Sequence, residues 1–158
     1  MEKTNVMRML EQKKIKYLAH EYPHEDGICV EGNVVASLLG QDPQRVFKTL
    51  VCVDNTKHYH VCVVPVEYEL DLKKAAKAAG VKSLDMIAVK ELLPLTGYVR
   101  GGCSPIGMKK VFPTLVHKTA LNYDNIIFSG GKIGIQVQMN PNDLSKLIRV
   151  GFEDIVKE

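Results

Sequence analysis

The sequence predicts an α+β fold, a largely antiparallel sheet with helices packed on it. Three observations lead there. Two pairs of β-rich runs are each joined by a short turn, at 49–65 and at 126–139. Capped segments with apolar residues at helical spacing lie between and around them. No regular strand–helix–strand alternation appears, so a doubly wound parallel sheet is disfavoured.

In chain order, residues 3–14 place Val6, Met7, Met9 and Leu10 at helical spacing and predict a short amphipathic helix. Lys16–Tyr22 alternates weakly up to Pro23 and predicts a short strand. Residues 24–32 lack a period and read as a loop. Val34–Leu39 is helical and stops at Gly40. Asp42-Pro43 has the form of an N-cap with proline at the first helical position, opening another helical turn that leads to Lys48.

The runs 49–54 and 58–65 flank Asp54-Asn-Thr-Lys57 and form the clearest hairpin. Asp71 caps a helix with Leu72, Ala75, Ala76 and Ala79 inward, ended by Gly80. Ser83 and the Val89–Leu93 stretch suggest two further short helices ending near Gly97. Residues 114–117 and 126–129 read as strands, and the glycine-rich turn 130–134 leads into a strand at 135–139. Asn140-Pro141 opens a last helix with Leu144, Leu147 and Ile148 inward.

The 158 residues suit one domain, with no repeat or linker. Charged residues make up 25% and the hydrophobic class 46%, an ordinary globular composition. Net charge is +3, too small to announce nucleic-acid binding by itself. The polar start has no apolar signal core, and no apolar run approaches the roughly 20 residues of a bilayer span. The four cysteines form no CxxC pair. A cytoplasmic location with reduced thiols is the expectation.

Common chemistries are missing. There is no GxSxG elbow, HExxH helix, GxGxxG or Walker A loop. His20, His24 and Cys29, or His58 and His60, lack the spacing of a zinc module, so neither metal nor cofactor is expected. Three features stand out instead. Lys48 lies where a helical turn meets an apolar strand, although a strand-end lysine is ordinarily just solvated. Residues 97–107 hold four glycines, a proline and a serine, a loop whose backbone can approach a ligand and donate N–H groups to an oxygen. Ser129-Gly130-Gly131-Lys132 sits at a hairpin tip, where it is either simple turn chemistry or a phosphate contact. Lys73, Lys74, Lys77, Lys109, Lys110, Lys118 and Lys132 are a candidate phosphate-tracking surface, or merely a solvated face.

Together these segments resemble one family. They are Tyr22, Phe47-Lys48-Thr49-Leu50, the run Leu70–Lys77, the run Thr96–Gly107 with its GG-x-SP-x-G core, Ser129–Lys132, and Phe152-Glu153-Asp154-Ile155. In that order they are similar to the YbaK-type Cys-tRNA(Pro) deacylases, free-standing relatives of the editing domain of bacterial prolyl-tRNA synthetases. The resemblance covers nearly the whole chain. It implies a twisted, mostly antiparallel, barrel-like sheet flanked by helices, and hydrolysis of the ester between a wrong amino acid and tRNA.

The resemblance also implies roles. Lys48 matches the essential lysine that anchors substrate, and Gly101 the glycine whose N–H contacts the scissile carbonyl. Gly102 would be a second donor. Tyr22, Thr49, Ser104, Ser129, Gly130, Gly131 and Lys132 match substrate-binding positions. By the same resemblance the substrate cysteine would attack its own carbonyl, and no protein nucleophile with a positioned base is evident in the sequence. The implied partners are the acceptor end of aminoacyl-tRNA and prolyl-tRNA synthetase. Glu31 stands where members often carry an aromatic residue, and Gln136 where some carry an acid. Deacylation of Ala-tRNA or another mischarged tRNA is therefore a second reading. A non-catalytic aminoacyl-tRNA or synthetase-binding module is a third.

Overall fold

The computed structural model describes residues 1–158. Its elements are α1 (Asn5–Gln12), β1 (Tyr17–Glu21), α2 (Gly32–Leu38), β2 (Phe47–Asp54), β3 (Tyr59–Pro65), α3 (Leu72–Ala79), β4 (Leu84–Met86), α4 (Val89–Thr96), β5 (Thr114–His117), β6 (Ile126–Lys132), β7 (Ile135–Met139) and β8 (Val150–Glu153). Short 3₁₀ turns cover Lys118–Asn122 and Pro141–Lys146.

The strands form two sheets, in the orders β1-β7-β6 and β4-β2-β3-β5-β8. One isolated bridge, Val46 to Ile127, links them, and they do not close into a barrel. The α+β class holds, with more parallel pairing than the hairpins suggest. β3–β5 and β5–β8 are parallel, and the other named pairings are antiparallel.

The alternation of β2 and β3 explains the layering. Phe47, Val51, Val61 and Val63 face inward with Val116. There they meet Ile126, Phe128, Val137 and Met139 of the smaller sheet, with Val6 and Leu10 of α1 closing the layer. The opposite face of the larger sheet carries Cys52, Cys62 and Val64 against Ala75 and Ala76 of α3 and Ile155. Helix α3 begins where it does because the Asp71 carboxylate accepts from the N–H groups of Lys73 and Lys74, at 3.0 and 3.1 Å. It ends at Gly80, at φ 72°. Thr4 caps α1 in the same way, accepting from the Met7 N–H at 3.3 Å.

Four local expectations change. Asp42-Pro43 makes an isolated turn, with the Asp42 carboxylate accepting from the Gln44 N–H at 3.0 Å, and no helix follows. The segment after Ser83 is the edge strand β4, because Cys52–Asp54 offers it a ladder. The last helix is a 3₁₀ turn. Strand β8 is absent from the sequence-based expectation. Gly151 interrupts its alternation, and its pairing with β5 is non-local.

Candidate active site

β2 has β3 along nearly its whole length on one edge, but β4 covers only Cys52–Asp54 on the other. The stretch 47–50 therefore ends at an open edge. The loop before α2, the glycine-rich loop around 101 and the wall formed by β6 and β7 surround that edge. Between them lies a cleft of about 240 Å³. Tyr22, Lys48, Thr49, Gly101 and Ser129 all line it, although they come from separate segments.

Lys48 is half-buried and forms neither an ion pair nor a hydrogen bond with the protein. The cleft's one carboxylate, Glu31, is engaged by Arg100 at 3.4 Å on the rim, where both side chains are about two-thirds exposed. Lys48 is thus an uncompensated cation, and the cleft carries net positive charge. The Thr49 hydroxyl is buried without a partner. Unsatisfied buried groups of this kind are uncommon in folded chains.

Gly101 sits at φ 86°, a conformation that favours glycine. A Cβ there would lie 2.8 Å from Cys29 Sγ and 3.3 Å from Cys29 Cα. Its N–H donates to no group of the protein, so it remains available to an oxygen in the cleft. Gly102 differs, because its N–H donates to the Val99 carbonyl at 2.9 Å. That bond closes the loop turn, so Gly102 supplies no second donor. A Cβ on Gly102 would meet Ile133 N at 3.0 Å and Lys132 C at 3.2 Å. Its bareness lets the two glycine-rich loops touch.

Ser129 lies opposite Gln136 across the β6–β7 ladder. Its hydroxyl oxygen accepts from the Gly131 N–H at 3.1 Å, which leaves its proton free to donate. Four predicted positions beyond Gly102 stay outside the cleft. Ser104 is fully buried and accepts from the Ile106 N–H at 3.3 Å. Gly130 makes room for Ile135 at the bulge, where a Cβ would stand 2.8 Å from its Cγ2. Gly131 packs against Val6 and Tyr98. Lys132 reaches away to Glu2 at 2.6 Å.

The cleft also holds Gln136, which the sequence marks only as a departure from the family pattern, and Cys29, to which the sequence assigns no role in this site. Gln136 is buried, and its side-chain carbonyl accepts from the Gln41 amide at 2.8 Å. Cys29 lies against Gly101. Their positions depend on non-local pairing, and no local pattern announces them.

No lining residue forms a nucleophile–base pair. Burial pushes the Cys103 thiol up to about 12, so it stays protonated near neutrality. Burial likewise raises Tyr22 above its ordinary value, and Cys29 has no histidine or other hydrogen-bond partner. No histidine lines the cleft: His20 bonds Gln138, His58 bonds Thr56 and His60 bonds Asp54, at 2.8, 2.7 and 2.8 Å, while His24 meets the Tyr22 carbonyl at 3.4 Å and His117 accepts from the Ile155 N–H. The arrangement offers one cation, one free backbone donor, hydroxyls and a shaped pocket. Such a site can hold an ester carbonyl and stabilise the charge that develops on it.

Residues 32–147 match the model of the aminoacyl-tRNA editing domain. The chain is 47% identical over 155 residues to EbsC of Enterococcus faecalis, covering 98% of this chain and 93% of that protein. The name of EbsC assigns it Cys-tRNA(Pro)/Cys-tRNA(Cys) deacylase activity. Among solved structures, one described as a trans-editing enzyme for prolyl-tRNA synthetase superposes with a TM-score of 0.79 at 22% identity, covering 99% of this chain and all of that one. A hypothetical protein, APE2540, superposes with a TM-score of 0.83 at 19% identity, covering 98% and 100%. At such identities the structural likeness speaks for the fold. The family-model match and the EbsC identity decide the family: this chain belongs to the aminoacyl-tRNA editing domain family.

Proposed function

We propose that the chain is an aminoacyl-tRNA deacylase that clears cysteine from Cys-tRNA(Pro) in trans, acting as a single domain over residues 1–158. The observation that carries this reading is the cleft itself. Lys48, which is unpaired, and Gly101, whose N–H is unbonded, line one small pocket that lacks a nucleophile–base pair. The 47% identity to EbsC supports cysteine as the amino acid.

The mechanism follows from that set of groups. Lys48 attracts the anionic 3′ end of the tRNA and fixes the terminal nucleotide. Tyr22, Thr49 and the Ser129 hydroxyl orient the aminoacyl ester. The substrate's own thiol attacks its carbonyl carbon, forming a C–S bond. The negative charge moves to the carbonyl oxygen, which the Gly101 N–H stabilises. The ester C–O bond then breaks, the thiol proton ends on the departing ribose hydroxyl, and the strained thiolactone is opened by water in solution. Holding sulfur and carbon in register contributes about 7–11 kcal/mol in well-oriented intramolecular reactions. One backbone donor contributes about 3–4 kcal/mol. No side-chain base is needed.

No helix is long and apolar enough to cross a membrane. A cytoplasmic site of action follows from the substrate class. Prolyl-tRNA synthetase is the partner that would present such a substrate, in line with the similar structure described as its trans-editing enzyme.

A panel of aminoacyl-tRNAs tests the reading. Rapid release of cysteine from Cys-tRNA(Pro), with Ser-tRNA(Pro) left intact, is the expected result. Equal hydrolysis of the serine analogue excludes thiol attack. Turnover of Ala-tRNA alone makes alanine the substrate, and tight binding without turnover of any member makes the chain a binding module.

A further inference from the structure

A second cleft lies at the other end of the β2–β3 hairpin. Lys57, Lys110 and Arg149 line it, with Tyr59 and Phe112 packed edge to face at 5.8 Å beside them. None of the three cations has an ion-pair partner in the protein. The carboxylate that also lines the cleft, Asp54, is consumed internally. Its Oδ1 accepts from the Thr56 N–H and hydroxyl and from the His58 N–H, at 2.7, 2.6 and 3.1 Å. Its Oδ2 meets His60 Nε2 at 2.8 Å. These bonds hold its pKa well below the usual carboxylate range.

Lys57 occupies the left-handed position of the turn, at φ 69°. Glycine or asparagine adopts that conformation more readily. The turn instead places a cation at the cleft's lip, beside Lys110 and Arg149 from distant parts of the chain.

We propose that this second cleft grips the phosphate backbone of the tRNA stem, and so sets the orientation in which the acceptor end enters the Lys48 cleft. The inference rests on tRNA being the substrate. β2 joins the two clefts, and the six steps from Lys48 to Asp54 advance the strand about 20 Å at ~3.3 Å each. A stacked nucleic-acid strand rises on the order of 3 Å per nucleotide, so that span corresponds to about six to seven nucleotides. The contact therefore falls on the stem rather than on the terminal adenosine, and it reads charge rather than sequence.

The test compares the protein with the variant K57Q/K110Q/R149Q on two substrates, whole Cys-tRNA(Pro) and the cysteinylated CCA trinucleotide. The variant is expected to lose tenfold or more in kcat/KM on the tRNA and to stay within twofold on the trinucleotide. Its log-affinity for uncharged tRNA, read by fluorescence anisotropy, should fall less steeply with log salt, by about two to three in slope. Lys57→Asn, which suits the turn, should show part of the same loss and guards against misfolding. Equal loss on both substrates, or no loss on either, overturns the proposal. Competition by inorganic phosphate at low millimolar concentration also overturns it, because that marks a small-anion site. If neither substrate is turned over, deacylation fails as the function, and the anisotropy arm still decides whether this cleft binds RNA.

Discussion

Gly101→Ala separates the roles of backbone shape and backbone donor in this cleft. The substitution meets two obstacles. Gly101 holds φ 86°, and a left-handed residue with a Cβ costs about 1–2 kcal/mol. The new methyl would lie 2.8 Å from Cys29 Sγ, 3.2 Å from its Cβ and 3.3 Å from its Cα. Overpacking of that kind costs about 1–3 kcal/mol where the neighbour cannot yield. The sum, about 2–5 kcal/mol, is a sizeable part of a typical domain stability of about 5–15 kcal/mol. The loop will shed part of it by moving, and that movement displaces the N–H from the carbonyl. The expected activity loss is about 10²–10³ in kcat, the scale of one oxyanion donor. Pairing the change with Cys29→Ala removes the sulfur clash but leaves the φ cost and the crowding against the Cys29 backbone. The double variant should regain some of the lost stability and little of the lost kcat. Urea unfolding and single-turnover deacylation read the two quantities. A Gly101→Ala protein with unaltered kcat would refute the donor role.

Other expectations follow from single interactions. His117 is buried, and its Nδ1 accepts from the Ile155 N–H at 3.3 Å. Burial, the largest influence, lowers its pKa below 6.5 despite Asp154 nearby. The unfolded chain then binds the proton first, so stability should fall as pH drops through about 6.5 towards the folded pKa. His117→Asn should flatten that slope in urea titrations between about pH 7 and 5. Asp71→Ala removes both cap bonds of α3 and should cost about 1 kcal/mol, read by thermal unfolding, with kcat unchanged. Lys132→Ala removes only an exposed ion pair with Glu2 and should leave deacylation and Tm nearly as they are. A marked rise in KM would return Lys132 to the substrate-binding set.

Much of this architecture is readable in the sequence wherever the determinants are local. Turn residues and apolar alternation define β2 and β3, and the Asp71 and Gly80 caps define α3. Failures cluster where partners are remote. β4 is three residues long, too short to show a period, and is a strand only because β2 has a vacant edge there. β8 pairs in parallel with β5 across more than thirty residues of chain. The site divides in the same way. Lys48, Gly101 and Ser129 could be singled out as residue types in order, yet their meeting in one cleft rests on the folded edge of β2. Gly102 reads as a donor in sequence, but its N–H closes the turn to Val99. The pairing of Gln136 with Gln41 and the packing of Cys29 on Gly101 leave no local trace.

Lys48 carries the account, because it is the cleft's one cation without an ion-pair partner. The most direct measurement is the rate of cysteine release from Cys-tRNA(Pro) by Lys48→Ala, with Tm taken on the same sample. The predicted result is a loss of deacylation to near the spontaneous rate, with Tm held, since the half-buried Lys48 side chain has no bond within the protein to lose. A folded Lys48→Ala protein that releases cysteine at the parent rate would contradict the account.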